Sequence, residues 1–164
     1  MTSSSAAGHS APAGPAPVGR APVGGPAGAP PARVLVYSDD RRLRERVSTS
    51  LGVRPDLDLP PLQLEECATS PAVLGLLDAG GIDLCIFDGE TVPVGGIGLC
   101  RQVKNEIFNA PPVLVLTGRP DDAWLATWGM ADETVAYPVN PIELSSKVVA
   151  LLKARLSTGD VATT

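Results

Sequence analysis

Five short apolar runs alternating with amphipathic stretches predict an α/β domain of three layers, a parallel (βα)5 sheet between helices. Three observations carry that prediction. The apolar runs lack strict apolar–polar alternation, as strands covered on both faces do. Each is followed by a stretch with helical spacing. Glycine or proline marks most of the joints. Crossovers between parallel strands are right-handed by default, which places the helices in layers on the two faces.

The elements follow in order. "RVLVY" (33–37) is a strand with β-branched residues. "DDRRLRERVSTSLG" follows as a helix, with Leu43, Val47 and Leu51 on one face and Gly52 as its stop. Residues 53–61, "VRPDLDLPP", form a proline-punctuated loop, and "LQLEEC" (62–67) is the second strand. "SPAVLGLLDAGG" predicts a helix with Ser70 as N-cap and Pro71 in its first position. "DLCIF" is the third strand, and "IGLCRQVKNEIF" (97–108) turns Leu99, Cys100, Val103 and Ile107 inward. "PVLVLT" (112–117) is the fourth strand. "PDDAWLATWGM" (120–130) is a helix with acids in its first turn, where the helix dipole favours them. "TVAY" (134–137) is the fifth strand, and 140–156 the last helix, with Pro141 at its start.

Residues 1–31 are almost entirely Ala, Pro, Gly and Ser, which cannot bury enough apolar surface to offset their ordering entropy. The expected organisation is a disordered tail over 1–31, one domain over 32–156 and a polar end over 157–164. No output module is expected after residue 156.

Composition excludes several functions. The net charge of −5, without a basic stretch, argues against sequence-independent nucleic-acid binding. Cys67, Cys85 and Cys100 form no CxxC pair and sit in apolar patterns, as buried small hydrophobes in a reducing compartment do. The single histidine, His9, lies in the tail, which removes Ser-His-Asp and Cys-His catalysis from the domain. No apolar run approaches the ~20 residues that span a bilayer, and the N-terminus lacks the pattern of a secretory signal. A cytoplasmic protein without membrane insertion is expected. No glycine-rich phosphate loop follows the first strand, where "YSDDRR" stands, so a small nucleotide- or flavin-dependent enzyme is disfavoured.

Chemistry in open parallel sheets gathers beyond the carboxyl ends of the strands. The first strand runs into Ser38, Asp39 and Asp40; the third ends on Asp88; the fourth on Thr117 and Gly118. With strand order 2-1-3-4-5, Asp39, Asp88 and Thr117 converge in one shallow cleft suited to a cation and an anionic phosphoryl group.

Over roughly residues 32–156 this pattern resembles the receiver domain of two-component response regulators, a flavodoxin-like fold. The resemblance implies an acidic pair after strand one and an aspartate after strand three that together hold Mg²⁺. The strand-three aspartate accepts the phosphoryl group as an acyl phosphate. It also implies a Thr or Ser after strand four and a Lys before a Pro that contact the phosphoryl, and a switch aromatic on strand five. Carried over, Asp88 is the phosphoacceptor position, Asp39 the surviving acid, Thr117 the hydroxyl and Tyr137 the switch aromatic. The metal contacts are Asp39, Asp88 and the backbone carbonyl of Glu90. Two departures weaken the chemistry: Ser38 replaces the first acid, and Asn140, in "YPVNP", is read at the lysine position. Mg²⁺ needs strong negative charge from oxygen ligands, and a neutral amide replaces a cation whose hydrogen bonds are worth about 1.5–3 kcal/mol. The reading is a regulatory, non-enzymatic interaction module with a degraded phosphorylation site, no cofactor and at most weak Mg²⁺ binding. Its alternative is a functional regulator phosphorylated on Asp88 by a histidine kinase. Arg119 stands open as a replacement cation.

Trp124 and Trp128, four residues apart, either pack inward or, with Tyr137, form an anchor for a protein partner. "VLVYSD", "GGIDLCIFDGE" and "LVLTGRPDDAWLA" resemble an actinobacterial group of orphan receiver-like proteins associated with the proton-pumping NADH:quinone oxidoreductase. That resemblance implies a respiratory-complex partner and a peripheral location on it.

Overall fold

Side chains alternate across a strand, so a strand covered on both faces needs apolar residues in both sets. Val34, Val36, Leu84, Ile86, Leu114 and Leu116 form one set; Leu35, Tyr37, Cys85, Phe87, Val113 and Val115 form the other. The structure, a computed structural model, describes residues 29–160. The expectation of a disordered arm falls, apart from residues 29–31, outside the described residues.

The elements are β1 (Ala32–Tyr37), α1 (Arg41–Leu51), β2 (Leu62–Cys67), α2 (Ser70–Ala79), β3 (Leu84–Asp88), α3 (Gly96–Glu106), β4 (Val113–Thr117), α4 (Ala123–Trp128), β5 (Glu133–Ala136) and α5 (Pro141–Asp160). All strand pairs are parallel, in the order β2-β1-β3-β4-β5. The flavodoxin-like three-layer fold is thus as the sequence predicts. The first strand set packs against Leu43, Val47 and Leu51 of α1 and Leu144, Val148 and Leu152 of α5. The second packs against Val73 and Leu77 of α2, Leu99, Cys100 and Val103 of α3, and Ala126 of α4. Each fully buried aliphatic side chain contributes roughly 1.5–3 kcal/mol, so these two layers hold β1, β3 and β4 rigidly.

All three cysteines are free and buried in the second layer. Burial pushes the Cys100 thiol up to about 12 and raises Cys67 and Cys85 as well, which keeps them protonated and unreactive.

Several local expectations are corrected. The N-cap of α2 is Thr69, in extended backbone, with Ser70 already helical. A 3-10 turn over Pro120–Asp122 takes the first part of the fourth helix and leaves α4 six residues long. It stops because Gly129 closes onto Leu125 and Met130 adopts a φ of 67°. Helix α5 runs four residues past the expected end at 156, where the hydroxyls of Ser157 and Thr158 bond back to the Ala154 carbonyl. The loop over 53–61 is fastened: Arg54 Nε donates to the Leu59 carbonyl at 2.9 Å, and Leu59 is buried. Lys153 of α5 reaches Asp56 at 3.0 Å and Asp58 at 3.2 Å.

Candidate functional site

Four strands deliver side chains to the carboxyl rim of the sheet. Ser38 follows β1, Asp88 ends β3, Thr117 ends β4 and Tyr137 follows β5. Asp88 pairs with Leu116, and Thr117 with Ala136, so the parallel register sets these residues side by side. Two glycines let the chain close around Asp88. A Cβ on Gly96 would lie 2.5 Å from the Asp88 carbonyl oxygen, and one on Gly89 would lie 2.7 Å from that of Leu116. Helix α3 therefore starts hard against the end of β3.

The Asp88 carboxylate is 3% exposed, and neutral groups occupy both its oxygens. Ser38 donates its hydroxyl to Oδ2 at 2.7 Å. Tyr137 donates its hydroxyl to Oδ1 at 2.8 Å, and the Glu90 backbone N–H donates to the same oxygen at 3.0 Å. Ser38 in turn accepts from the Asp40 N–H at 3.0 Å, which fixes its hydroxyl direction. Burial, the bond to Asp88 and the neighbouring carboxylates of Asp88, Glu90 and Asp40 all raise the titration of Tyr137 above its ordinary value. Its phenol stays a proton donor. Tyr37, edge-on to Phe87, donates to the Val94 carbonyl at 2.7 Å and pins the β3–α3 connection. Its titration is raised by burial first and then by Asp39 and Asp88.

Of the residues predicted from sequence, Ser38, Asp88 and Tyr137 come into direct contact. Thr117 is buried on the adjacent strand. Asp39 is exposed and makes no hydrogen bond or ion pair among the described residues; its neighbour Asp40 caps α1, accepting from the Arg42 N–H at 2.8 Å. Asn140 is corrected. Its Oδ1 accepts from the N–H groups of Ile142 at 2.9 Å and Glu143 at 3.2 Å, so it is the N-cap of α5. The residue before a proline that reaches Asp88 is Tyr137, before Pro138. The strand end is corrected too: β5 stops at Ala136, and Tyr137 lies just past it, partly buried, with its hydroxyl on the carboxylate. Arg119 is exposed and makes no contact with Asp88.

The metal contacts read from the sequence are two carboxylates, exposed Asp39 and buried Asp88, with the backbone carbonyl of Glu90. Among the described residues no group of three or more His, Cys, Asp or Glu side chains could hold a metal ion. A serine stands where a second buried carboxylate is needed. The carboxylate of Glu90 lies against Gly118, where an added Cβ would meet it at 2.7 Å. A magnesium site built on three or more side-chain carboxylates is therefore absent among the described residues.

Trp124 and Trp128 do not pack inward: they are 67% and 58% exposed. Arg101 of α3 lies over the Trp128 ring at 4.1 Å from its centroid, a cation–π contact. Sequence reasoning missed Thr91, whose hydroxyl oxygen is buried without a partner beside the site. No periodic or motif signal marks it.

No family model matches the chain. The chain is 53% identical over 122 residues to an uncharacterized response regulatory protein of Mycobacterium tuberculosis, in two strains, over 74% of this chain and 92% of the relative. The chain belongs to the response regulator family. Its receiver fold is matched by the receiver domain of a Francisella response regulator, with a TM-score of 0.64, 19% identity, and 75% of this chain and 98% of that one covered. Chemotaxis response regulator CheY4 of Vibrio cholerae gives 0.61 and 22%, over 75% of this chain and all of that one. These structural likenesses show the fold alone. No helix among the described residues is long and apolar enough to cross a membrane.

Proposed function

We propose that this receiver is a protein-interaction module whose phosphorylation chemistry is degraded. One observation carries the reading: the Asp88 carboxylate is held by two neutral hydroxyls and a backbone N–H, with no lysine or arginine among the described residues bonded to it. Aspartyl phosphorylation needs countercharge for the incoming phosphoryl oxygens, and charge-assisted bonds are roughly twice as strong as neutral ones. Binding then falls to the surface. The exposed pair Trp124 and Trp128, with Arg101 stacked on one ring, suits a protein partner, since Trp and Arg dominate binding hot spots. The likeness to orphan receiver-like proteins points to NADH:quinone oxidoreductase subunits as that partner. Solubilised complex passed over the immobilised full chain is expected to bind it, and to lose binding when both tryptophans are alanine.

A working regulator, phosphorylated on Asp88 by a histidine kinase, is the second reading. It is favoured by the position of Asp88 at the end of β3 beside Thr117 and by the names of the relatives. Acetyl phosphate with Mg²⁺ separates the two. The proposed reading expects no added phosphoryl mass on the intact chain; stoichiometric labelling that Asp88→Asn abolishes would sink it.

A further inference from the structure

An aspartate at the open rim of a sheet would ordinarily meet water, yet Asp88 is almost wholly covered. The cover has an identifiable hinge. Tyr137 sits on the short connection between β5 and α5, fastened on both sides. Its own N–H donates to the Thr117 carbonyl at 2.8 Å, and three residues later Asn140 caps α5. From that fixed point the side chain reaches Oδ1 of Asp88. Ser38 holds the other oxygen from the opposite side, across β1. A carboxylate attacks an electrophile through a lone pair; of its roughly four lone-pair sites three are taken here, two on Oδ1 by Tyr137 and the Glu90 N–H and one on Oδ2 by Ser38.

We infer that Tyr137 is a latch on Asp88: its phenol closes the carboxylate to incoming electrophiles and ties the β5–α5 connection to the end of β3. The inference deepens the proposed function, and it rests on reading Asp88 as the acceptor position. It names the side chain that withholds the acceptor, in addition to the missing charges. The latch does not depend on pH in the ordinary range, because the phenol keeps its proton there. Opening it requires the Tyr137 side chain to turn away from Asp88 on its fastened backbone. A partner that holds the Tyr137 side chain away from Asp88 therefore also frees the carboxylate, and by thermodynamic necessity the linkage runs both ways.

The test measures access to the carboxylate without any metal or phosphoryl group. The folded full chain is treated with a water-soluble carbodiimide and glycinamide. The carboxylate adds to the carbodiimide carbon, and the amine then displaces the urea to leave an amide, read by peptide mass spectrometry. Exposed Glu90, two residues away, is the internal reference. In the wild type Asp88 is expected to label at least about tenfold more slowly than Glu90, the factor that a hydrogen bond to a charged group supplies. Tyr137→Phe, which keeps the ring and deletes the hydrogen bond, should remove about tenfold of that difference, and Tyr137→Ala, which opens the cover as well, should remove most of whatever remains. Tyr37→Phe, which loses the bond to Val94 instead, should leave the ratio unchanged. Equal labelling of Asp88 and Glu90 in the wild type, or slow labelling that survives both Tyr137 substitutions, overturns the latch. Should Tyr137→Ala fail to fold, Tyr137→Phe decides. Acetyl phosphate with Mg²⁺ on the same proteins keeps the two ideas apart. Faster amide formation without phosphorylation in the variants upholds both. Phosphorylated wild type removes the degraded-site reading, while the labelling ratio still judges the latch.

Discussion

Two aspartate sites in this molecule are held in opposite ways. At the rim, Asp88 is buried and bonded only to neutral donors, Ser38, Tyr137 and the Glu90 N–H. At the loop over 53–61, Asp56 and the more exposed Asp58 share the Lys153 ammonium. Formal countercharge stands where water already screens it and is missing where a charge is buried. An exposed ion pair contributes little because solvent competes for both partners. A buried carboxylate without a cation depends wholly on its hydrogen bonds, each of which is costly to lose. The rim should therefore be the brittle region and the loop the tolerant one.

The largest expected effect breaks the rim by packing. Gly96→Ala places a Cβ 2.5 Å from the Asp88 carbonyl oxygen and 2.9 Å from the Phe87 Cβ, so the start of α3 must move off β3. Overpacking of this kind costs up to about 3 kcal/mol. The matched change away from the rim is Gly75→Ala, in the interior of α2. Gly75 is exposed, with nothing within 4 Å of an added Cβ, so the change should be neutral or stabilise by about 0.5–1 kcal/mol. Urea unfolding of both variants measures the difference, and equal losses would dissolve the contrast.

The second effect is that of Tyr137→Phe, which deletes one hydroxyl from Asp88. A hydrogen bond to a charged group is worth about 1.5–3 kcal/mol, and the Glu90 N–H remains on the same oxygen, so a loss of about 1–2 kcal/mol is expected. The alkaline behaviour gives the sign. The folded protein holds the Tyr137 proton more tightly than the ordinary value of 10.0. Its contribution is complete below pH 10 and falls as pH rises further, because the unfolded chain releases the proton first. Urea midpoints taken from pH 8 upward should decline more steeply above pH 10 in the wild type than in Tyr137→Phe. Parallel curves would show that the phenol is not held.

The same contrast explains what was legible in the sequence. The five strands and the place of Asp88 and Thr117 at one rim followed from five apolar runs and one rule about strand ends, because burial on two faces imposes composition; the partner that β1 supplies to Asp88 is Ser38, where the same rule had brought in Asp39. The register within "YPVNP" was not legible. Both Tyr137 and Asn140 precede a proline, and an Asn-Pro pair is also an N-cap followed by a first helical residue, which is the role the structure gives it. Counting from the strand end favours Tyr137, which lies immediately past β5. The outward turn of Trp124 and Trp128 was equally hidden. A spacing of four places two residues on one face without saying which face is covered, and a helix of six residues offers too few buried positions to decide. The unpartnered hydroxyl of Thr91 is a product of tertiary packing alone.

The smallest effect belongs to the clamp, and it sharpens the comparison by being local. Asp56 titrates below its ordinary value, through the Asp58 backbone N–H and then Lys153, so its contribution is present above pH 3.8 and is lost as pH falls through the lowered value. Lys153 titrates above 10.5, through its bonds to Asp56 and Asp58, so its contribution is present below that pH and fades as pH rises through the raised value. Between those limits the Lys153 pairs with Asp56 and Asp58 are fully formed and partly open to screening. Lys153→Met should therefore leave the urea midpoint unchanged at high salt and lower it only slightly at low salt. The loop has its own readout. The Leu59 N–H bonds the Asp56 carbonyl and the Leu62 N–H bonds the Val53 carbonyl. Both amides should exchange with deuterium faster in Lys153→Met, while amides in β3 and β4 keep their wild-type protection, since local opening does not require global unfolding. Faster exchange in β3 as well would mean that the exposed ion pair supports the whole fold, and that burial does not separate the two aspartate sites.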